Sequence, residues 1–101
     1  MDAAQFQQVA KALAEPRRLE ILTAIATHDE LSCREIVEQF PVSQATVSHH
    51  IKELVKVGLI ETRRAGQYCY YSFRAEVLSI YITQLQQLLT INIQQKSPER
   101  I

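Results

Sequence analysis

The stretch from Val42 to Leu54 constrains the fold most, because its pattern is that of a helix with two contrasting faces. Val47, Ile51 and Leu54 recur at the spacing of one helical stripe and predict a buried face. The opposite face carries short or hydrogen-bonding side chains. Ser43 stands just before the pattern, where its hydroxyl can accept hydrogen bonds from the first free amides. A groove-reading helix needs this design, but an ordinary surface helix has a similar pattern, so the neighbouring segments decide.

The segments before this stretch predict three more helices. Residues 3–14 carry one apolar stripe, and residues 16–27 begin with a proline, which fits a first helical turn and disfavours helix in the residue before it. Ser32 and Glu35 match a capping box, which places the start of the third helix at Ser32. A turn of about three residues then leads to the Val42–Leu54 stretch, so the two helices form a helix-turn-helix.

The segments after this stretch predict a hairpin and a long final helix. Gly58 suits the end of the helix, residues 59–63 and 68–73 suit strands, and Ala65-Gly66 supplies the turn between them. A hairpin in this position is a wing. The fold class is therefore mainly α with a small β-hairpin (α+β): a winged helix-turn-helix of four helices, two strands and a fifth helix over residues 75–95.

The first and last helices predict the seam of a homodimer. Residues 75–95 are apolar on more than one face, which is more surface than a single small core can cover. The expected interface residues lie on the apolar stripes of these two helices. They are Phe6, Val9, Leu13, Leu78, Tyr81, Leu85 and Leu88. Residues 1–95 are expected to form one domain and residues 96–101 a polar tail.

Composition and charge limit the cellular setting more than the partner. The chain is 47% hydrophobic and 22% charged, as globular domains are. It shows neither a membrane-length apolar run nor the basic start of a signal peptide, so a cytoplasmic location without membrane contact is expected. Net charge is zero, but residues 43–74 carry a balance of +3 against −2 over residues 1–30. Because screening acts over about 8 Å, the basic region can still attract phosphate groups.

Four segments, taken in order, resemble the ArsR/SmtB family of small bacterial winged-helix repressors. They are Ala12–Leu22, Ser43–Ile51, Gly58–Ile60 and Gly66–Tyr71. The resemblance covers nearly the whole chain. It implies a homodimer that binds an inverted repeat in double-stranded promoter DNA at the bacterial nucleoid and blocks transcription.

The resemblance also implies which side chains contact DNA. Gln44 can pair with an adenine edge through two hydrogen bonds, whereas Lys52 and Lys56 suit phosphate. His50 lies beside the apolar stripe and is interpreted as structural. The expected contact residues lie on the exposed helix face and on the wing. They are Ser43, Gln44, Thr46, Ser48, His49, Lys52, Arg63, Arg64 and Gln67.

The chain departs from the family at both of its common metal sites. Ser32 and Arg34 stand where a Cys-x-Cys pair would bind the metal, with Cys33 between them. A fixed cation repels a metal ion, and a hydroxyl is a poor ligand for soft ions. The family's other common site uses Asp and His on the last helix. Residues 75–95 contain no His or Asp and only Glu76, so this second site is also absent. No metal and no other cofactor is expected.

Two alternative functions stay open. The sequence also does not specify the inducing signal, which, if there is one, is a small molecule or a partner protein. A second branch of the family uses paired cysteines as a thiol or persulfide switch, for which Cys33 and Cys69 are available. Their phases place each on a different apolar face and favour structural thiols instead. A protein-interaction module without DNA binding would not require Arg63 and Arg64. An enzyme is not expected, because no glycine-rich loop or oxyanion motif accompanies the Cys and His residues.

Overall fold

The structure of the protein is a computed structural model that describes residues 1–95. Within this range five helices and three strands follow one another. They are α1 (Ala3–Ala14), α2 (Pro16–Thr27), β1 (Leu31–Ser32), α3 (Cys33–Gln39), α4 (Gln44–Lys56), β2 (Ile60–Ala65), β3 (Tyr68–Phe73) and α5 (Ala75–Gln95). The predicted tail, residues 96–101, lies outside the described residues. None of the helices in this range has the length and hydropathy needed to cross a membrane.

Side-chain caps start α3 and α4 at the predicted positions. The Ser32 hydroxyl accepts a hydrogen bond from the Glu35 amide at 3.1 Å, and the Glu35 carboxylate accepts one from the Ser32 amide at 2.9 Å. The predicted capping box is therefore present. The Ser43 hydroxyl accepts a hydrogen bond from the Thr46 amide at 3.1 Å, which places the start of α4. Local polar chemistry thus determines where both helices of the helix-turn-helix begin.

The sheet has three strands, so the predicted two-stranded hairpin was incomplete. β2 and β3 pair antiparallel, with Gly66 at φ +64° in the turn between them. β1 pairs with the other edge of β3, which gives the strand order β1-β3-β2. A strand of two residues has no periodicity of its own, and Ser32 carries the stronger signal of a helix cap. β2 also runs to Ala65, two residues beyond its predicted end.

One apolar core joins the helices to the sheet and contains the predicted stripe of α4. Val47, Ile51 and Leu54 are each at most 4% exposed. The other core residues are at most 9% exposed; they come from α1, α2, α3, the three strands and the segment between α4 and β2. They are Val9, Ala12, Ile21, Leu22, Ile25, Leu31, Ile36, Leu59, Ile60 and Tyr71. Because the apolar face of α4 is held in this core, its polar face must lie at the surface.

The last helix, α5, packs on the protomer only near its start. Tyr81 stacks on Phe6 with 4.7 Å between the ring centroids, and Val77 and Leu78 pack against the core. Farther along, the apolar side chains are exposed. They are Leu85, Leu88, Leu89, Ile91 and Ile93, with exposed fractions from 39% to 73%. The predicted excess of apolar surface on this helix is therefore present.

Candidate nucleic-acid interface

The polar face of α4 is exposed as predicted. Gln44, Ser48, His49 and Lys52 all lie at the surface, opposite the buried stripe. Their side chains offer both donors and acceptors of hydrogen bonds, which is the chemistry that reads base edges. α4 therefore presents a rigid row of polar side chains on one side of the molecule.

Two residues of the predicted contact set also organise the start of α4. The hydroxyl groups of Ser43 and Thr46 lie 2.9 Å apart, within hydrogen-bonding distance, and Ser43 caps the helix. Both residues remain exposed. Each hydroxyl therefore has a structural partner as well as access to the solvent.

His50, next to His49, is buried and structural. It is 7% exposed, and its Nδ1 accepts a hydrogen bond from Nε of Arg18 at 3.3 Å. Burial, and then the positive charge of Arg18, lower the pKa of His50 below its ordinary value. A neutral imidazole therefore links α4 to the first turn of α2, in agreement with the structural interpretation.

The two arginines of the wing have different surroundings. Nε and Nη2 of Arg63 donate to the two carboxylate oxygens of Glu30 at 2.9 and 2.7 Å. The Arg63 guanidinium also lies over the ring of Tyr70, 4.6 Å from its centroid. The hydrogen bond from Arg63 lowers the pKa of Glu30, and the same pairing raises the pKa of Arg63. Arg64 instead lines a groove between α4 and the hairpin.

A groove of about 410 Å³ between α4 and the hairpin contains three exposed cations. Lys52, Lys56 and Arg64 line it together with Ser48 and Thr62. Among residues 1–95, the salt bridges involve none of these three cations. Positive charge without an acidic partner, beside an exposed polar helix face, is the arrangement that attracts a phosphate backbone.

The two cysteines line one groove, whereas their phases predict two separate faces. β1 pairs Leu31 with Tyr71 and Ser32 with Tyr70, and Cys33 follows directly after this paired segment. Both thiols are half-buried and border a groove of about 500 Å³. β1, which the sequence did not predict, pairs with β3 and brings Cys33 into the same groove as Cys69, while both cysteines pack against the core as their phases indicate.

Burial changes the pKa of one of these thiols, Cys33, and of the neighbouring Tyr71. Burial, and then the nearby Cys69, raise the pKa of the Cys33 thiol. Burial, and then the neighbouring thiols, raise the pKa of Tyr71 to about 12. The groove also includes Gln44 at the start of α4 and Gln67 at the wing turn. The thiol pair therefore lies between two of the predicted DNA-contacting side chains.

The two residues beside Cys33, Ser32 and Arg34, both have structural contacts. Ser32 caps α3, and Arg34 forms an exposed ion pair with Glu38 at 3.2 Å. Neither side chain is a ligand for a soft metal ion. Within residues 1–95, no group of three or more His, Cys, Asp or Glu side chains is arranged to hold an ion.

Comparison with known proteins places the chain among transcriptional regulators. A family model described as a helix-turn-helix domain matches residues 13–63. The arsenical resistance operon repressor of Staphylococcus xylosus is 37% identical over 84 residues, which are 83% of this chain and 79% of that protein. The chain belongs to the ArsR family of DNA-binding transcriptional repressors. The predicted family membership and class of function are therefore confirmed.

Solved structures of ArsR-like regulators share this fold. An ArsR-like regulator from Rhodococcus sp. RHA1 superposes with a TM-score of 0.83 at 24% identity, covering 91% of this chain and 86% of that chain. A homodimeric winged helix-turn-helix DNA-binding domain from Mycobacterium bovis gives a TM-score of 0.69 at 28% identity, covering 96% and 89%. The predicted winged helix-turn-helix is confirmed, with β1 as its additional strand.

Proposed function

We propose that this ArsR-family repressor binds an inverted-repeat operator as a homodimer and reads bases with the exposed face of α4. The observation that carries the proposal is the position of that face beside the unpaired cations of the groove. Gln44, Ser48 and His49 would contact base edges, and Lys52 and Arg64 would contact phosphates. The other proposed DNA contacts come from the start of α4, its last turn and the wing turn. They are Ser43, Thr46, Lys56 and Gln67.

The second copy is proposed to pack against α1 and the exposed part of α5. Leu85 and Leu88 are 39% and 62% exposed, and the homodimeric M. bovis relative supports the same assembly. The other proposed interface residues lie next to them on the two terminal helices. They are Phe6, Leu13, Leu78 and Tyr81. Val9 differs, because it is 1% exposed within the protomer's own core and offers no surface to a partner. A two-fold dimer presents two α4 helices and so matches a two-fold operator.

We further propose that the repressor acts at nucleoid DNA in the bacterial cytoplasm and that its signal is not a metal ion. The support is chemical, since Ser32 and Arg34 stand at the ligand positions of the family's common site. A small molecule or a partner protein remains available as the effector.

The test compares operator binding with non-specific binding. The operator is first selected from random DNA by the protein itself, and affinities are then measured by fluorescence anisotropy. Gln44→Ala should lower the affinity for the operator about tenfold, because a bidentate base contact contributes about 1–3 kcal/mol. The affinity for random DNA should fall much less. Gln8→Ala, at an exposed position outside the proposed DNA contacts and the proposed interface residues, is the matched control. Equal losses on both DNAs for Gln44→Ala would remove base reading from this helix.

A thiol-responsive form of the same repressor is the second candidate. The observation that favours it is the shared groove of Cys33 and Cys69, with Gln44 and Gln67 at its border. Modified thiols there would lie against DNA-contacting side chains. This candidate is supported if a polysulfide or a peroxide releases the operator from the wild-type protein but not from Cys33→Ser. Unchanged affinity in the wild-type protein would exclude it.

A further inference from the structure

The Glu30–Arg63 pair connects all three strands near the middle of the hairpin. Glu30 directly precedes β1, Arg63 lies in β2, and Tyr70 lies opposite Arg63 in β3. The pair has two hydrogen bonds, and the Arg63 guanidinium lies over the Tyr70 ring. A bidentate arginine–carboxylate pair fixes orientation as well as distance. These contacts therefore restrain the angle between the hairpin and the body of the domain.

The outer strand of the hairpin, β2, has little apolar packing of its own. In β2 only Ile60 is buried, and residues 61–65 are exposed. β3 is held differently, because it pairs with β1 and its Tyr71 belongs to the core. Beyond Ile60, the Glu30–Arg63 pair is the charged contact that ties β2 to the segment before β1. The pair therefore restrains the outer strand of the wing, where apolar contacts are few.

The same contact engages Arg63, which is also a predicted DNA contact and whose side chain stays 56% exposed. Its Nε and Nη2 donate to Glu30, and one face of its guanidinium is covered by Tyr70. Successive residues of a strand point to opposite faces. Arg64 accordingly lines the groove with Lys52, away from Glu30.

We propose that Glu30 and Arg63 are positioning residues that set the angle of the wing on DNA, and that Arg64 makes the phosphate contact. The inference rests on the proposed function, in which the wing touches DNA. The competing arrangement has Arg63 binding phosphate and Glu30 competing for it. The two arrangements predict opposite effects of removing the Glu30 charge.

The first experiment measures operator affinity by anisotropy over a range of salt concentrations. Glu30→Gln and Arg63→Gln should each weaken binding about two- to fivefold, the effect of a partly exposed ion pair, with an unchanged salt slope. Arg64→Gln is the matched control and should reduce the slope by about 0.9, the value for one phosphate contact. Tighter binding by Glu30→Gln, or an Arg63→Gln slope as low as that of Arg64→Gln, would overturn the proposal.

A charge swap tests the pair itself. The double variant Glu30→Arg with Arg63→Glu keeps the net charge and can remake the ion pair in reverse. Affinity closer to the wild type than that of Arg63→Glu alone supports positioning. If the double variant binds no more tightly than Arg63→Glu alone, the proposal is overturned, because a charge at position 30 cannot restore a phosphate contact made by position 63.

A measurement without DNA separates this inference from the proposed function. Hydrogen exchange of residues 60–73 in the free protein should become faster in Glu30→Gln and stay unchanged in Arg64→Gln. Unchanged exchange in Glu30→Gln removes the positioning role while operator binding stands. If the wild type selects no operator, the proposed function fails, and with it the effect on DNA that the inference assigns to this pair.

Discussion

Acidification should destabilise the protein through His50, the buried histidine of α4. Its pKa in the folded protein is lowered by burial and then by Arg18. Above about pH 6.5 the imidazole is neutral in both the folded and the unfolded chain, so its contribution to stability is fully present. Below that pH the unfolded chain takes up a proton that the folded chain resists, so stability falls until the pH passes the folded pKa. One proton gives a slope of at most about 1.4 kcal/mol per pH unit.

The measurement is urea unfolding followed by circular dichroism at a fixed protein concentration, from about pH 8 to pH 5. His50→Gln can still accept a hydrogen bond from Arg18 but does not titrate, so it should lose most of this slope. His49→Gln removes the exposed neighbour and should keep the wild-type slope. The carboxyl groups of Glu30 and Glu35 also have lowered pKa values, but their stabilisation is lost only in more acidic solution. A wild-type slope in His50→Gln would refute the reasoning.

Two further predictions concern assembly and the backbone. Leu88→Glu, at a side chain that is 62% exposed, should convert the dimer to monomers in sedimentation equilibrium. Thr90→Glu on the same helix should not, and a dimer that persists in Leu88→Glu would contradict the proposed interface. Gly58→Ala should lower the free energy of unfolding by about 2 kcal/mol, because Gly58 has φ +80° and the new Cβ would lie 3.2 Å from Cγ2 of Val77. Gly66→Ala, at φ +64° in open space, should cost about 1 kcal/mol, and equal costs in thermal or urea unfolding would show that the Val77 contact carries no energy.

The sequence predicts best those features that arise from neighbouring residues. The start of α4 follows from the Ser43 cap and its end from Gly58, and the structure places Gly58 directly after the C-cap residue Val57. These signals act within one or two helical turns, so the printed sequence contains them in full. The winged helix-turn-helix order follows for the same reason.

The missed features depend on residues that are distant in the chain. Arg63 has the pattern of a free wing cation, but its partner Glu30 is 33 positions away. Cys33 and Cys69 come together only because β1 pairs with β3, and a two-residue strand leaves no periodic signal. Tertiary pairing therefore decides which of the candidate side chains are free to bind DNA.

The contacts of the connection between α2 and α3 determine whether the chain can accept an inserted residue there. Glu30 binds the wing, Leu31 is 3% exposed in the core, and Ser32 both pairs with β3 and caps α3. Each of these three consecutive residues has its own contact, so a residue inserted among them would displace at least one contact from its register. The turn at Gly66, where a new Cβ would meet no atom within 4 Å, has no such restriction. Insertions should therefore be accepted at the wing turn and rejected in this polar connection, although both would be read from the sequence as ordinary loops.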